Sequence, residues 1–273
     1  MPNRDVDARL LLALAELCVE AGRAILDIYD REEIAVRAKD DRSPVTDADE
    51  RAEAILLEGL AGLFPGVPVI AEEATSRDGA PLTAADTFLL VDPLDGTREF
   101  LARNGEFTVN VGLISAARPI AGCVHAPALG ETWLGAEAQG ALVARAAVRD
   151  APAADGYRAI SVRPAPADGL CAVASRSHSD AETEAFLTGL GVAHRRSAGS
   201  SLKFCLVAEG EADVYPRFGP TMEWDTAAGH AVLAAAGGSV TRPDGSPFVY
   251  GKADAGFRNG GFVAWGSGAS RGR

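Results

Sequence analysis

The chain has 273 residues, 47% hydrophobic and 23% charged, with a net charge of −12. That is ordinary globular material, enough for one large domain or two lobes sharing an interface. The acidic balance argues against a nucleic-acid polymer as partner, because phosphate-backbone binders are usually basic. A small anion stays open, since bound metals invert the local field. Cys18, Cys123, Cys171 and Cys205 lie far apart and form no CxxC, so buried, reduced thiols are expected. Residues 1–5 lack an apolar signal core and no apolar run approaches membrane-spanning length, which predicts no integral membrane segment and a cytoplasmic location.

Leu10, Leu14, Leu17, Ala21, Ile25 and Ile28 recur at three- and four-residue steps and predict an amphipathic helix over residues 5–30. Residues 37–45, polar and containing Pro44, read as a loop. Thr46-x-x-Asp49 resembles a capping box opening a second helix, which Pro65-Gly66 ends. Residues 67–71 form a short strand closed by Glu72-Glu73, and residues 75–80 read as a polar loop of the kind that can act as a lid.

Residues 88–91 are an apolar run that reads as a buried strand ending in two carboxylates, Asp92 and Asp95, three positions apart. Gly96 and Thr97 then open a short helix. Such a stretch offers oxygen ligands for a hard cation and free N–H groups for an anion.

Phe107, Val109, Val111 and Leu113 alternate with Thr108, Asn110 and Gly112; with runs at 120–125, 132–134 and 141–144 they predict an antiparallel set. Residues 145–158, rich in Ala, Pro and charge, mark a lobe boundary that divides the chain into 1–148 and 149–273. The second half alternates: strand 171–175, helix 180–190, helix 200–209, strand 212–215, helix 225–236 stopped by Gly237-Gly238, and strands 239–242 and 261–265. A disordered tail is expected after residue 265, and Trp133, Trp224 and Trp265 are expected in the core. His125, His194 and His230 show no ligand spacing and are expected to be structural.

Singly, each acidic motif has a plain reading: a turn for Asp92-x-x-Asp95, a solvated pair for Glu72-Glu73, caps for Asp49 and Asp225. Together they supply the number of carboxylates that clustered divalent cations near a phosphate require. The Ala227-Ala228-Gly229 run after Asp225 lets a helix pack closely and carry that carboxylate to a lobe junction.

Glu72-Glu73, Asp92-Pro93-Leu94-Asp95-Gly96-Thr97 and Trp224-Asp225-Thr226-Ala227-Ala228-Gly229 resemble the inositol monophosphatase superfamily of Mg²⁺-dependent, lithium-sensitive phosphatases. The resemblance implies an α/β (α+β) fold, an alternating αβαβα layered sandwich of the inositol monophosphatase and fructose-1,6-bisphosphatase type. The N-terminal α+β lobe would carry most metal ligands, and the C-terminal α/β lobe Asp225 and the substrate-binding residues. It further implies two or three Mg²⁺ ions held by Glu72, Asp92, the Leu94 carbonyl, Asp95 and Asp225, with Li⁺ inhibitory. Thr97 and Glu72 would orient and activate water, Asp49 would receive the Thr97 hydroxyl, and the Gly96 and Thr97 amides would hold the phosphate.

Residues 199–205 (Gly-Ser-Ser-Leu-Lys-Phe-Cys), 213–225, Arg98-Glu99-Phe100, residues 103–108 and Ser175-Arg176-Ser177-His178 resemble the 3′(2′),5′-bisphosphate nucleotidase (CysQ-type) branch. Near Arg217, enzymes resembling inositol monophosphatases carry an acid that accepts hydrogen bonds from sugar hydroxyls. Arg217 is a fork of donors suited to a phosphate, and Lys203 adds a second cation. The branch implies a small-molecule partner, a bisphosphorylated nucleotide, with Gly96, Thr97, Ser177, His178, Ser200, Lys203 and Arg217 against it. The reaction would release the 3′-phosphate of adenosine 3′,5′-bisphosphate, and also act on 3′-phosphoadenylyl sulfate, in sulfur assimilation. Arg217 has a competing structural reading, an ion pair with Glu223 or Asp213; His178 has one as part of a turn. The resemblance also leaves room for loose association with the inner face of a membrane, and for a monomer or a homodimer. Two rivals stand beside it: the same chemistry on inositol monophosphate or fructose 1,6-bisphosphate, and a non-catalytic sensor of phosphometabolites.

Overall fold

A computed structural model describes residues 6–38, 44–82, 85–174 and 181–267. Helix α1 (Ala8–Tyr29) starts where Asp7 Oδ1 accepts the Leu10 amide at 2.8 Å, and buries the stripe Leu11, Leu14, Cys18, Ala21, Ile25 and Ile28. Where a loop is expected, β1 (Val36–Ala38) pairs antiparallel with β2 (Pro44–Thr46). Strands of three residues are too short to display a period of two. Helix α2 (Asp47–Leu63) begins with the predicted capping box: Thr46 Oγ1 accepts the Ala48 amide, while Asp49 Oδ2 accepts the Thr46 amide at 2.8 Å and the Thr46 hydroxyl at 2.7 Å.

Strand β3 (Val69–Ala71) runs directly into α3 (Glu72–Asp78), so residues 75–78 are helical rather than loop. Two acids in the first turn and Arg77 in the last complement the helix dipole, and Glu53 of α2 reaches across to accept the Glu73 amide at 2.8 Å. Gly79, at φ +87°, stops the helix. Strand β4 (Thr87–Asp95) extends through both carboxylates, with a break in register between Asp92 and Asp95, and gives way to α4 (Thr97–Leu101). Strands β5 (Thr108–Ser115), β6 (Arg118–Ala126), β7 (Glu131–Ala136), β8 (Gly140–Arg145) and β9 (Arg158–Ile160) follow. β3 through β9 form one seven-stranded sheet in chain order, antiparallel except for β3 against β4.

The remainder is β10 (Cys171–Ala174), α5 (Ala181–Gly189), β11 (His194–Ser197), α6 (Leu202–Ala208), β12 (Val214–Arg217), β13 (Thr221–Met222), α7 (Trp224–Ala235), β14 (Ser239–Thr241), β15 (Arg258–Asn259) and β16 (Phe262–Trp265). Five of these strands make a second sheet, ordered β11-β10-β12-β16-β14; β13 and β15 pair apart as a short ribbon. Helices α1 and α2 cover one face of the large sheet, α6 and α7 lie between the two sheets, and α5 covers the far side of the small one. That is the αβαβα sandwich. All three tryptophans are buried, and all four cysteines are free and buried. Among the described residues no helix is long and apolar enough to cross a membrane. Ser177, His178 and the tail from residue 268 lie outside the described residues.

The seating of α7 decides where the site can form. Gly112, Gly122 and Gly135 are register partners on β5, β6 and β7 and make a trough across the sheet. A Cβ at Gly122 would stand 2.8 Å from the Ala228 carbonyl oxygen, one at Gly112 2.7 Å from Ala227 Cβ, and one at Gly135 2.5 Å from Val232 Cα. On the other side of α7, a Cβ at Gly229 would stand 2.5 Å from the Phe204 ring. The small-residue run read from the sequence therefore packs both ways. Gly122→Ala is expected to destabilise the protein by about 2 kcal/mol, because helix backbone cannot move aside as a side-chain tip can. Gly62→Ala on α2, where a Cβ meets nothing within 4 Å, should be neutral or gain up to about 1 kcal/mol. Equilibrium urea unfolding of the two variants checks the contrast.

Candidate active site

Alternation along β4 sends Leu89 and Val91 to the core under α1 and α2, and Phe88 and Leu90 to the core around α7. Asp92 continues the second set and is 1% exposed; its Oδ1 accepts the Leu94 amide at 3.0 Å. The register break re-aims the chain, and Gly96 at φ +92° turns it into α4. Rings of Tyr29, Phe100 and Phe107, with centroids 4.9–5.3 Å apart, anchor α4 to α1. Thr97 Oγ1 lies 3.4 Å from Asp49 Oδ1 and 3.4 Å from the Leu94 carbonyl, and its single proton serves one at a time. Asp49 thus spends one oxygen on the α2 cap and turns the other to Thr97.

The facing wall comes from the second half. Asp225 sits in the first turn of α7, half-buried at the cleft, with Oδ2 accepting the Met222 amide at 2.8 Å. Burial first, then the neighbouring charges of Asp95 and Glu72, push its carboxyl up to about 8. Lys203 on α6 is 2% exposed; its Nζ donates to the Ser200 carbonyl at 2.6 Å and stands 5.2 Å above the Tyr215 ring. Burial draws the Lys203 ammonium down to about 8.

The structure settles the alternative reading of Arg217. Asp213 is taken by Arg163 through two bonds of 2.8 Å, and Glu223 by Lys252 at 2.6 Å. Among the described residues Arg217 has no ion pair within 4 Å; it donates to the Pro220 carbonyl at 3.3 Å, and its Nε is buried without a partner.

Glu72, Asp95, Gly96, Thr97, Ser200, Lys203, Arg217 and Asp225 all line one cleft of about 270 Å³. Its acids and its cations come from separate elements and face a common space. Asp92 and Asp49 lie behind the acidic wall rather than on it. Ser200 lines the cleft, but its hydroxyl donates to Asp95 Oδ2 at 2.7 Å. Sequence reasoning missed Thr108, Asn110 and Ser201, which stand behind Asp95, and Tyr215 and Thr221, which also line the cleft. Thr108 and Asn110 carried a signal: they are the polar members of an otherwise apolar alternation on β5.

The donor set fits a hard divalent cation. It is all oxygen, and Asp95 and Glu72 sit close enough for their like charge to be felt at the Asp225 carboxyl. Among the described residues no three His, Cys, Asp or Glu side chains are already gathered to cation-binding distance, as expected of carboxylates that repel one another.

Residues 7–263 match the sequence profile of the inositol monophosphatase family. The chain belongs to that family. Over 243 residues it is 46% identical to the 3′(2′),5′-bisphosphate nucleotidase CysQ of Escherichia coli strain K12, covering 88% of this chain and 94% of that one. The nucleotidase CysQ of Buchnera aphidicola is 39% identical over 94% of this chain and 93% of its own length. Among solved structures, CysQ from Bacteroides thetaiotaomicron superposes with a TM-score of 0.78 at 35% identity, covering 99% of this chain and all of that one.

The burial of Lys203 has a measurable sign. Its penalty on folding is full below about pH 8 and fades as the pH rises toward the ordinary lysine value of about 10.4. Lys203→Met, which retains the packing, is expected to stabilise the protein by about 1 kcal/mol or more at neutral pH, and the gain should vanish near pH 10.5. Urea unfolding across that range checks it; a variant less stable than the parent at neutral pH would contradict the reading of Lys203 as a cation penalised by its burial.

Proposed function

We propose that this phosphatase removes the 3′-phosphate of adenosine 3′,5′-bisphosphate, giving AMP and phosphate, and accepts 3′-phosphoadenylyl sulfate, in sulfur assimilation. The observation that carries the reading is what one cleft holds together: the acids Glu72, Asp95 and Asp225, and the cations Lys203 and Arg217, neither of which has an ion pair within 4 Å among the described residues. An acidic protein that keeps a buried and a half-buried cation beside its acids is built for a substrate with a second anionic group. The likeness to two nucleotidases at 46% and 39% identity supports the same substrate class.

Glu72, Asp92, the Leu94 carbonyl, Asp95 and Asp225 would hold two or three Mg²⁺ ions. When bound, these ions would supply an activated water and offset charge on the phosphoryl oxygens and the leaving alkoxide. Thr97 would orient the attacking water, with Asp49 positioned to take the hydroxyl proton, since threonine alone is a poor base. Glu72 would share that role from the start of α3. The Gly96 and Thr97 amides would hold the scissile phosphate, and Lys203 and Arg217 the 5′-phosphate, fixing which ester meets the acids.

Phosphate release from adenosine 3′,5′-bisphosphate, adenosine 3′-monophosphate, inositol monophosphate and fructose 1,6-bisphosphate tests this, with and without Mg²⁺ and Li⁺. The bisphosphate nucleotide should give the highest kcat/KM, lost without Mg²⁺ and inhibited by Li⁺. Arg217→Met should lower kcat/KM for it roughly 10- to 100-fold, chiefly through KM, and affect the 3′-monophosphate far less. A preference for inositol phosphate would transfer the assignment to that substrate, and no release from any ester would favour a sensor.

A further inference from the structure

Asp95 is held by a set of side chains that the catalytic reading does not use. Its Oδ2 accepts from Ser200 Oγ at 2.7 Å, from Ser201 Oγ at 3.2 Å and from Asn110 Nδ2 at 3.4 Å. Every donor goes to that one oxygen, and Oδ1 receives none among the described residues. Asn110 also donates through Nδ2 to Ser201 Oγ at 3.0 Å, and the Thr108 hydroxyl fixes the amide by donating to Asn110 Oδ1 at 3.0 Å. Thr108 makes a further contact with the Ser200 hydroxyl.

Ser201 is the junction. Its Oγ lies 2.9 Å from the Asp225 carbonyl as well as 3.2 Å from Asp95 Oδ2. With Asn110 occupying one lone pair, its single proton is shared between an acceptor on β4 and one on α7. Thr108, Asn110 and Ser201 are all 0–1% exposed, so water does not compete for these bonds.

We infer that Ser201 and Asn110 are positioning residues: they pin Asp95 Oδ2, leave Oδ1 as the oxygen free for a divalent cation, and tie Asp95 to the backbone of Asp225. This rests on the reading above that the two aspartates hold Mg²⁺. The physical need is plain. A carboxylate held at one oxygen cannot rotate away from the metal, and partners behind a ligand typically govern metal affinity by 10- to 100-fold. Crossing from the large sheet to the loop before α6 also makes the spacing of the two aspartates depend on side chains from both halves.

The test is Mg²⁺ binding to the metal-stripped full-length protein by calorimetry, with unfolding in EDTA measured alongside. Ser201→Ala, which removes a single buried oxygen, should weaken Mg²⁺ about 10-fold. Asn110→Ala should do the same, and carries the test if Ser201→Ala does not fold. A purely structural role would lower stability in EDTA and leave the Mg²⁺ affinity within twofold of the parent; that result overturns the inference. Absence of saturable Mg²⁺ binding in the parent protein removes the metal reading itself, and this inference with it.

Discussion

The close approach of α7 to the large sheet is the constraint on which the rest of the structure depends. Three glycines on adjacent strands leave no side chains in its path, and the Ala227-Ala228-Gly229 run keeps the helix thin on both faces. With the helix seated so low, its first turn delivers Asp225 beside Asp95 and Glu72, acids that belong to β4 and α3. A bulkier seam would lift the helix and open the distance between them. The cost of this seating is visible at Asp225, a partly desolvated carboxyl crowded by like charges.

The cleft resolves a contradiction posed by the composition. A chain with a net charge of −12 is a poor long-range attractor of phosphates. Locally, Arg217 is kept from Asp213 and Glu223, which are already engaged by Arg163 and Lys252, while Lys203 is held by backbone carbonyls and the Tyr215 ring. Tyr215 shields Lys203 from below while aromatic packing with Phe204 and Phe262 holds that ring in place. The Arg163–Asp213 and Lys252–Glu223 ion pairs therefore leave Arg217 without either acid as a partner.

Much of this was legible in the sequence because its signals are local. The capping box at Thr46, the apolar run before Asp92, the glycine turn at Gly96 and the small-residue run after Asp225 each express physics within a few residues. What was not legible depends on distant partners or very short elements. β1, β2, β9, β11, β13 and β15 are strands of two to four residues, defined by what they pair with rather than by a pattern of their own. Helix α3 hid behind a polar composition, since a helix that buries only Glu73 has no apolar stripe to announce it. Ser201 and Asn110 are 91 positions apart, and nothing in either neighbourhood signals that they meet behind Asp95.

The most direct measurement is a crystal structure of the protein with Mn²⁺ in place of Mg²⁺, located by anomalous scattering. Metal peaks in the cleft with carboxylate oxygens of both Asp95 and Asp225 as ligands are predicted. Peaks confined to one of the two aspartates, or lying elsewhere on the molecule, would contradict the account that these two halves of the chain assemble a shared cation site.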